Sequence, residues 1–277
     1  MLRRYLALAA CCCSLSAFAS AEDSPEVIAA REARLKAMHA IAERFKVQVT
    51  EGEQQRAMPL MAEPLLRFND PAREFHDATL WGWGEKGRPL CLLTIEQYGE
   101  RSWFECISLA DLTSDTSGPQ RFTAEAEVLR WAPKAGGIEM KPLAGAPPVA
   151  DKAPRRMSQM KELLGQLRAY EVGRTGSKYE LRLMPRAFYR YDDEKAELVD
   201  GAIFAFAYGT NPELLAIIEA RGPATSAQWQ IGFARCGTAE PHVLLGDKEI
   251  FTLKYATGTG PQDAYWNFSY TFKKKAE

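Results

Sequence analysis

The chain has 277 residues, 46% of them hydrophobic and 10% aromatic, with a formal net charge of -1 at pH 7. This length is enough for two domains of the usual size of about 100–150 residues. The apolar fraction excludes a disordered chain, and the balanced charge leaves no excess of basic residues to neutralise phosphates. We therefore expect a globular protein that does not bind nucleic acid.

The N-terminal sequence MLRRYLALAACCCSLSAFASAED is typical of a secretory signal. Two arginines precede an apolar run that ends in ASA at 19–21, the small-x-small pattern after which a signal peptidase cleaves. We predict that residues 1–21 are removed and that the protein is exported, to the periplasm or outside the cell. An alternative is the lipobox-like LAAC at 8–11, which would leave the chain anchored through a lipidated Cys11. No later apolar run reaches the about 18 residues that span a bilayer, so we expect no transmembrane segment in the mature chain.

The segment after the signal predicts an amphipathic helix, SPEVIAAREARLKAMHAIAERFKV. Ser24 is a plausible N-cap with proline at the first helical position. Apolar residues then recur at spacings of three and four, at Leu35, Met38, Ala42 and Phe45. A strand is expected next, at about 56–61.

Residues 77–97, DATLWGWGEKGRPLCLLTIEQ, predict a hairpin in which Trp81 and Trp83 lie on one face of the first strand. The stretch GWGEKG at 82–87 matches the dinucleotide fingerprint G-x-G-x-x-G. That fingerprint works only between a strand and a helix whose N-terminus holds phosphate. Here it leads from strand to strand, so we expect no nucleotide and no other cofactor.

Three cysteines remain once the signal is removed: Cys91, Cys106 and Cys236. A hairpin with Tyr98 and Gly99 as its two-residue loop would place Cys91 opposite Cys106 and allow a disulfide between them. Other registers place the two residues apart, and the alternative is then two buried thiols that behave as small apolar side chains.

A stretch rich in proline and alanine, KPLAGAPPVADKAP at 141–154, is typical of a linker. A second amphipathic helix follows in APRRMSQMKELLGQLRAYEV, with apolar positions at Met157, Met160, Leu163, Leu164, Leu167 and Tyr170. A second hairpin then begins at residue 200. Its first strand places Phe204 and Phe206 on one face and small residues on the other, and ELLAIIE is apolar on both faces.

The two hairpins align without a gap when residues 65–96 are set on residues 188–219. Identities include Arg67/Arg190, Asp70/Asp193, Asp77/Asp200, Pro89/Pro212 and Glu96/Glu219. We interpret this as an internal duplication; the alternative is two unrelated hairpins of similar composition. The resulting prediction is an α+β fold with two tandem repeats, at 22–140 and 155–277. Each repeat would be an N-terminal helix packed on an antiparallel sheet of four or five strands.

Polar residues shared by the two copies have two interpretations. The first is structural, with ion pairs and turn-capping carboxylates that fix each hairpin; it covers Arg67, Asp70, Asp77, Arg190, Asp193 and Asp200. The second is a ligand patch, in which aromatic faces and glutamates line a groove; its residues are Trp81, Trp83, Glu96, Phe204, Phe206 and Glu219. No cysteine or histidine pair has zinc-ligand spacing and no catalytic triad is visible, so we predict no metal site and no catalytic residue.

Four segments together resemble an uncharacterised family of exported proteins from planctomycete bacteria: DGAIFAFAYGTNPELLAIIEAR, RRMSQMKELLGQLRAYE, YELRLMP and LWGWGEKGRPL. The resemblance extends over roughly residues 30–255. It implies a bacterial, exported protein, and it brings no activity, cofactor or catalytic residue.

Two hypotheses of function follow from the sequence. The first is a non-catalytic binding or interaction protein of the cell envelope, whose partner is an envelope protein or a polysaccharide. It predicts a partly exposed apolar surface, on the aromatic faces or between the units. The second is a hydrolase of an extracellular polymer that uses carboxylates such as Asp77, Glu96, Asp200 or Glu219 as acid and base. It requires two carboxyl groups about 5–10 Å apart in one open cleft.

Overall fold

A computed structural model describes residues 24–51, 53–70, 75–98, 101–111 and 121–271. The predicted signal at 1–21 and the candidate lipidation site Cys11 lie outside the described residues. Of the described residues, 51% lie in strands and 14% in helices. The predicted α+β fold of two tandem helix-on-sheet repeats is therefore wrong. The protein is mostly β, with two α-helices and three sheets among the described residues.

The first half of the chain begins with the helix α1, Pro25–Ala42, capped by the Ser24 hydroxyl, which accepts a hydrogen bond from the Val27 amide. The helix is shorter than its pattern predicted, because Lys46 already begins a strand. Eight strands follow: β1 Lys46–Glu51, β2 Gln54–Met58, β3 Leu66–Asp70, β4 Phe75–Trp83, β5 Cys91–Tyr98, β6 Arg101–Ser108, β7 Arg121–Ala126 and β8 Leu129–Trp131.

The second half begins with the two-residue strand β9, Lys141–Pro142, and the helix α2, Ala153–Leu164. Part of the segment predicted as a linker is therefore regular structure. The remaining strands are β10 Leu167–Val172, β11 Lys178–Leu183, β12 Tyr189–Asp193, β13 Leu198–Tyr208, β14 Asn211–Arg221, β15 Gln228–Arg235, β16 Glu240–Leu245, β17 Lys248–Thr252 and β18 Tyr265–Tyr270. A 3-10 turn at Glu194–Ala196 lies between β12 and β13.

The strands form a four-stranded sheet in the order β2-β1-β7-β8, a five-stranded sheet in the order β18-β6-β5-β4-β3, and a nine-stranded sheet. The order in the nine-stranded sheet is β17-β16-β10-β11-β13-β14-β15-β9, with β12 beside β13. The part β11-β10-β16-β17 has the same connectivity as β2-β1-β7-β8.

The centre of the molecule is a core between the five-stranded sheet and strands β13–β15. Leu80 and Leu92 from the first half pack there with Ile203, Leu215 and Ile217 from the second. Strand β13 is thus buried on both faces, because its smaller side chains face the other half of the chain. The helix α2 packs on the opposite, aromatic face of β13.

Two outer cores lie on the other faces of these strands. In the first, Trp81 and Trp83 pack with Met38 and Ala42 of α1 and with the four-stranded sheet. In the second, Phe204 and Phe206 pack with Met160 of α2 and with Val243 of β16. Each helix therefore covers an aromatic face, and burial of these large side chains contributes to the hydrophobic stabilisation of each half.

The sheet of the first half receives one strand from the second half. Strand β18, near the C-terminus, pairs with β6 over six positions, from Tyr265 opposite Ile107 to Tyr270 opposite Ser102. Strand β9, which begins the second half, pairs with β15 of the same half. The halves are therefore joined by backbone hydrogen bonds as well as by the central core.

Strands β5 and β6 pair in a register that is shifted by two residues from the one that would place Cys91 opposite Cys106. Cys91 lies opposite Ser108 and Cys106 lies opposite Leu93, because Tyr98 pairs with Arg101. The structure therefore has no Cys91–Cys106 disulfide and matches the alternative of buried thiols; Cys91, Cys106 and Cys236 are free and buried.

Candidate functional site

The aromatic residues predicted to line a groove are buried in separate cores. The exposed fractions are 1% for Trp81, 2% for Trp83 and 1% each for Phe204 and Phe206. Trp81 and Trp83 pack in the core beneath α1, and Phe204 and Phe206 pack in the core beneath α2. Only Trp83 of the four lines a cavity that the structure describes, a separate one of about 460 Å³ beside β1 and β2. The structure therefore does not form the predicted aromatic groove.

The shared polar residues of the first half form an ion triad around Asp77. Arg67 donates to Asp77 from Nε at 2.7 Å and from Nη2 at 2.5 Å, and Arg34 of α1 donates at 2.9 Å. Arg67 Nη2 also donates to the carbonyl of Arg31. Burial raises the pKa of Asp77, but the hydrogen bonds from the two arginines outweigh it and the pKa is lowered. The triad fastens α1 to the β3–β4 hairpin.

The second half has a matching triad around Asp200. Arg190 donates to it at 2.9 and 2.5 Å, and Arg156 of α2 donates at 2.7 Å. Asp193 accepts a hydrogen bond from the Lys195 amide and so caps the 3-10 turn, while Asp70 is buried at the end of β3. These contacts are structural, because every one of them joins elements of the fold.

The two glutamates of the predicted ligand patch are also buried, with exposed fractions of 6% for Glu96 and 0% for Glu219. Glu96 accepts a hydrogen bond from Tyr98 at 2.9 Å. Glu219 accepts from Tyr191 at 2.7 Å and from Arg221 Nε at 2.5 Å. Neither carboxylate is open to solvent, but Glu219 lies beneath a cleft.

That cleft, which we call the interface cleft, has a volume of about 700 Å³. Its walls come from both halves: the β4–β5 loop at 84–90, the segment 109–111 after β6, the turn between β12 and β13, and two residues of β2. The two loops are joined where the amide of Gly87 donates to the carbonyl of Asp192 at 3.1 Å. Gly87 has φ +71°, a left-handed conformation that glycine adopts without strain.

Arg88 lies at the base of the interface cleft, with only 7% of its side chain exposed. Its Nη2 donates to Asp111 at 2.5 Å, and its Nε is 3.7 Å from Glu219. Its third nitrogen, Nη1, is buried and has no hydrogen-bond acceptor among the described residues. A buried guanidinium N–H without an acceptor costs free energy, typically about 1–3 kcal/mol or more for a charged group.

The charges around the guanidinium keep it ionised. Burial lowers the pKa of Arg88, but the negative charges of Glu219 and Asp111 outweigh this effect and the pKa is raised. Burial and the charge of Glu219 also raise the pKa of Tyr191, so this tyrosine stays a neutral hydrogen-bond donor. The base of the cleft is therefore a fixed cation held by protein carboxylates.

The rim of the interface cleft adds two exposed lysines, Lys86 and Lys195. Neither has an ion-pair partner among the described residues, whereas Arg56 on the same rim pairs with Glu85 at 3.3 Å. The two lysines come from different halves of the chain. The cleft thus combines two free surface cations with one buried guanidinium.

Sequence reasoning missed Arg88, although it lies in the EKGRP stretch that follows the dinucleotide-like glycines. The second copy has Asn211 at the aligned position, so Arg88 was not among the shared residues. Its only signal was an arginine in a short loop between two buried strands.

Among the described residues, no group of three histidine, cysteine or acidic side chains is arranged to hold a metal ion. Within the same ranges, no helix has the length and apolar character that crossing a membrane requires. Comparison with known protein families, with curated proteins and with solved structures finds no match to this chain. The function is therefore argued from the cleft itself.

Proposed function

We propose that this protein is a non-catalytic binding protein of the cell envelope, and that its ligand is a small anion or an anionic group seated in the interface cleft. The observation that carries the proposal is Arg88, a buried guanidinium whose Nη1 has no acceptor among the described residues. An oxyanion that enters the base of the cleft and displaces the side chains that now cover Nη1 would supply the missing acceptor.

The chemistry of the cleft favours carboxylate, sulfate or phosphate oxygens. A guanidinium offers planar donors that match two oxygens of such a group, and its weak hydration makes a buried position tolerable. Lys86 and Lys195 add a second and third positive charge at the rim. Charges that line a low-dielectric cleft also raise the local concentration of anions and speed their association.

Export and the nature of the partner are part of the proposal. The N-terminal signal pattern supports an envelope location, and an acidic polysaccharide or an envelope protein with an acidic side chain would present the anion. We also propose that the halves arose by duplication; the equivalent triads of Asp77 and Asp200 support this. Only one half then kept an arginine at the position of Arg88.

The hydrolase hypothesis has no observation in its favour. It depended on Asp77, Glu96, Asp200 and Glu219, and each of these carboxylates is buried and hydrogen-bonded to the protein. A general acid or base must reach substrate or water. We therefore prefer binding to catalysis.

The test is isothermal titration calorimetry of the purified chain with inorganic sulfate and with malonate at low ionic strength. We expect saturable binding of at least one of these anions. Arg88→Lys keeps the charge but removes the planar fork, so its affinity should fall at least about tenfold, or 1.4 kcal/mol. The double change Lys86→Gln with Lys195→Gln should weaken binding and reduce its dependence on salt.

The matched control is Lys134→Gln, which removes one exposed lysine away from the cleft and should leave the affinity unchanged. Thermal unfolding of each variant establishes that it is folded. The proposal is refuted if no anion binds, or if Lys134→Gln weakens binding as much as the rim variant does.

A further inference from the structure

A second cavity lies where the sheet of the second half fails to close. In the first half, the edge strand β8 is joined to the segment that precedes the edge strand β18. The Trp131 indole donates to the Asp263 carbonyl at 2.8 Å. The amides of Ala132 and Lys134 donate to the carbonyls of Pro261 and Gln262 at 2.8 and 3.0 Å. These bonds connect the end of β8 to the segment that enters β18, and they seal the first outer core.

In the second half, the corresponding edge strands are β17 and β9, at opposite ends of the nine-stranded sheet. Residues 137–146 and 246–254 are all described, and no hydrogen bond joins these two segments. Strand β9 is only two residues long, whereas its counterpart β18 has six. A cavity of about 580 Å³, the seam cavity, remains between the two edges.

The seam cavity opens into the second outer core and is apolar at its base. Ile231 and Phe233 of β15 form the floor, with exposed fractions of 5% and 6%. Leu143, Leu245 and Phe251 form the walls and are only partly buried. The volume lies within the range of about 300–1,000 Å³ that is usual for small-molecule sites.

Charged groups occur only at the mouth of the seam cavity. Lys141 is paired with Glu139 at 2.9 Å, and Glu249 is hydrogen-bonded to His242 at 2.6 Å. Lys248 is exposed and has no ion-pair partner among the described residues. The lining therefore carries two lysines and two glutamates, and of these four side chains Lys248 alone has no partner among the described residues.

We propose that the seam cavity binds a single-chain amphiphile, with its alkyl chain on Ile231 and Phe233 and an anionic headgroup at Lys248. The apolar walls stabilise the chain by removing it from water, in proportion to the area buried. The unpaired lysine selects the sign of the headgroup. This site is separate from the interface cleft and does not depend on it.

The experiment is a calorimetric titration of the purified chain with octyl, decyl and dodecyl sulfate, each below its micelle concentration. We expect one ligand per chain and an affinity that rises about fourfold per methylene until the cavity is filled. Dodecyl maltoside and dodecyltrimethylammonium, with the same chain and a neutral or positive headgroup, should bind more weakly.

Two variants test the location without changing the core. Ala144→Trp places a bulky ring at the exposed mouth and should abolish binding of the sulfates. Lys248→Glu should lower the affinity for dodecyl sulfate at least about tenfold and leave the affinity for dodecyl maltoside unchanged. The matched control, Lys134→Glu, makes the same charge change beside the closed seam of the first half and should have no effect.

Absence of saturable binding overturns the proposal. So does binding of many ligands per chain that Ala144→Trp leaves unchanged, since that is the behaviour of a detergent adsorbing to the general surface. A headgroup preference that Lys248→Glu does not alter would remove the role assigned to the lysine.

Discussion

The buried triad around Asp200 makes a quantitative prediction for the variant Asp200→Asn. The carboxylate has an exposed fraction of 4% and receives three N–H groups, one from Arg156 and two from Arg190. A hydrogen bond to a charged group contributes about 1.5–3 kcal/mol. Asparagine keeps one acceptor oxygen, and both arginines retain backbone acceptors, at Asp151 and Ala153. We therefore expect a loss of about 2–4 kcal/mol.

The assay is equilibrium urea unfolding, followed by circular dichroism and by tryptophan fluorescence so that coincidence of the two curves tests two-state behaviour. The matching fall in Tm for a chain of this size is roughly 5–12 °C. The control is Glu162→Gln, which breaks the ion pair between Arg155 and Glu162 on α2. The two groups are 2.8 Å apart, and each side chain is more than half exposed. Its expected effect is within about 0.5 kcal/mol. If Asp200→Asn costs no more than this control, the triad does not hold α2 to the hairpin.

Two further predictions concern ionisation. Since the pKa of Asp77 is lowered in the folded chain, its ion pair with Arg67 contributes fully above the unfolded value of about 3.9 and is lost as the pH falls through the folded value. The difference in unfolding free energy between wild type and Asp77→Asn should therefore shrink from about pH 7 to about pH 3; a constant difference would contradict the assignment. Burial raises the pKa of the three thiols Cys91, Cys106 and Cys236. A thiol reagent at mildly alkaline pH should therefore modify them only after denaturant is added. Rapid labelling of the native chain would contradict their burial.

The hairpins could be predicted from sequence because their signals are local. The alternation of Phe204 and Phe206 with smaller residues predicted β13, and the apolar run after it predicted a central strand. The sequence could not show what each face of β13 packs against. The burial of its second face depends on Leu80 and Leu92, which are more than a hundred residues away in sequence.

The fold class was mispredicted for a related reason. The pairing of β18 with β6 and of β9 with β15 depends on residues that no local period connects. The candidate sites are likewise non-local: Arg88 meets Glu219 from the other half, and the seam cavity exists because β9 is short. A sequence pattern reports which residues are apolar or charged, and it does not report which strand edge remains open.

The late position of β18 affects the order in which the chain can fold. Strand β6 has its outer edge open until residues 265–270 are available, because those residues provide its partner. Domains commonly fold from the N-terminus during synthesis. Here the first half can close only after residues 265–270 have left the ribosome, and until then an unpaired edge offers its backbone groups to any other strand.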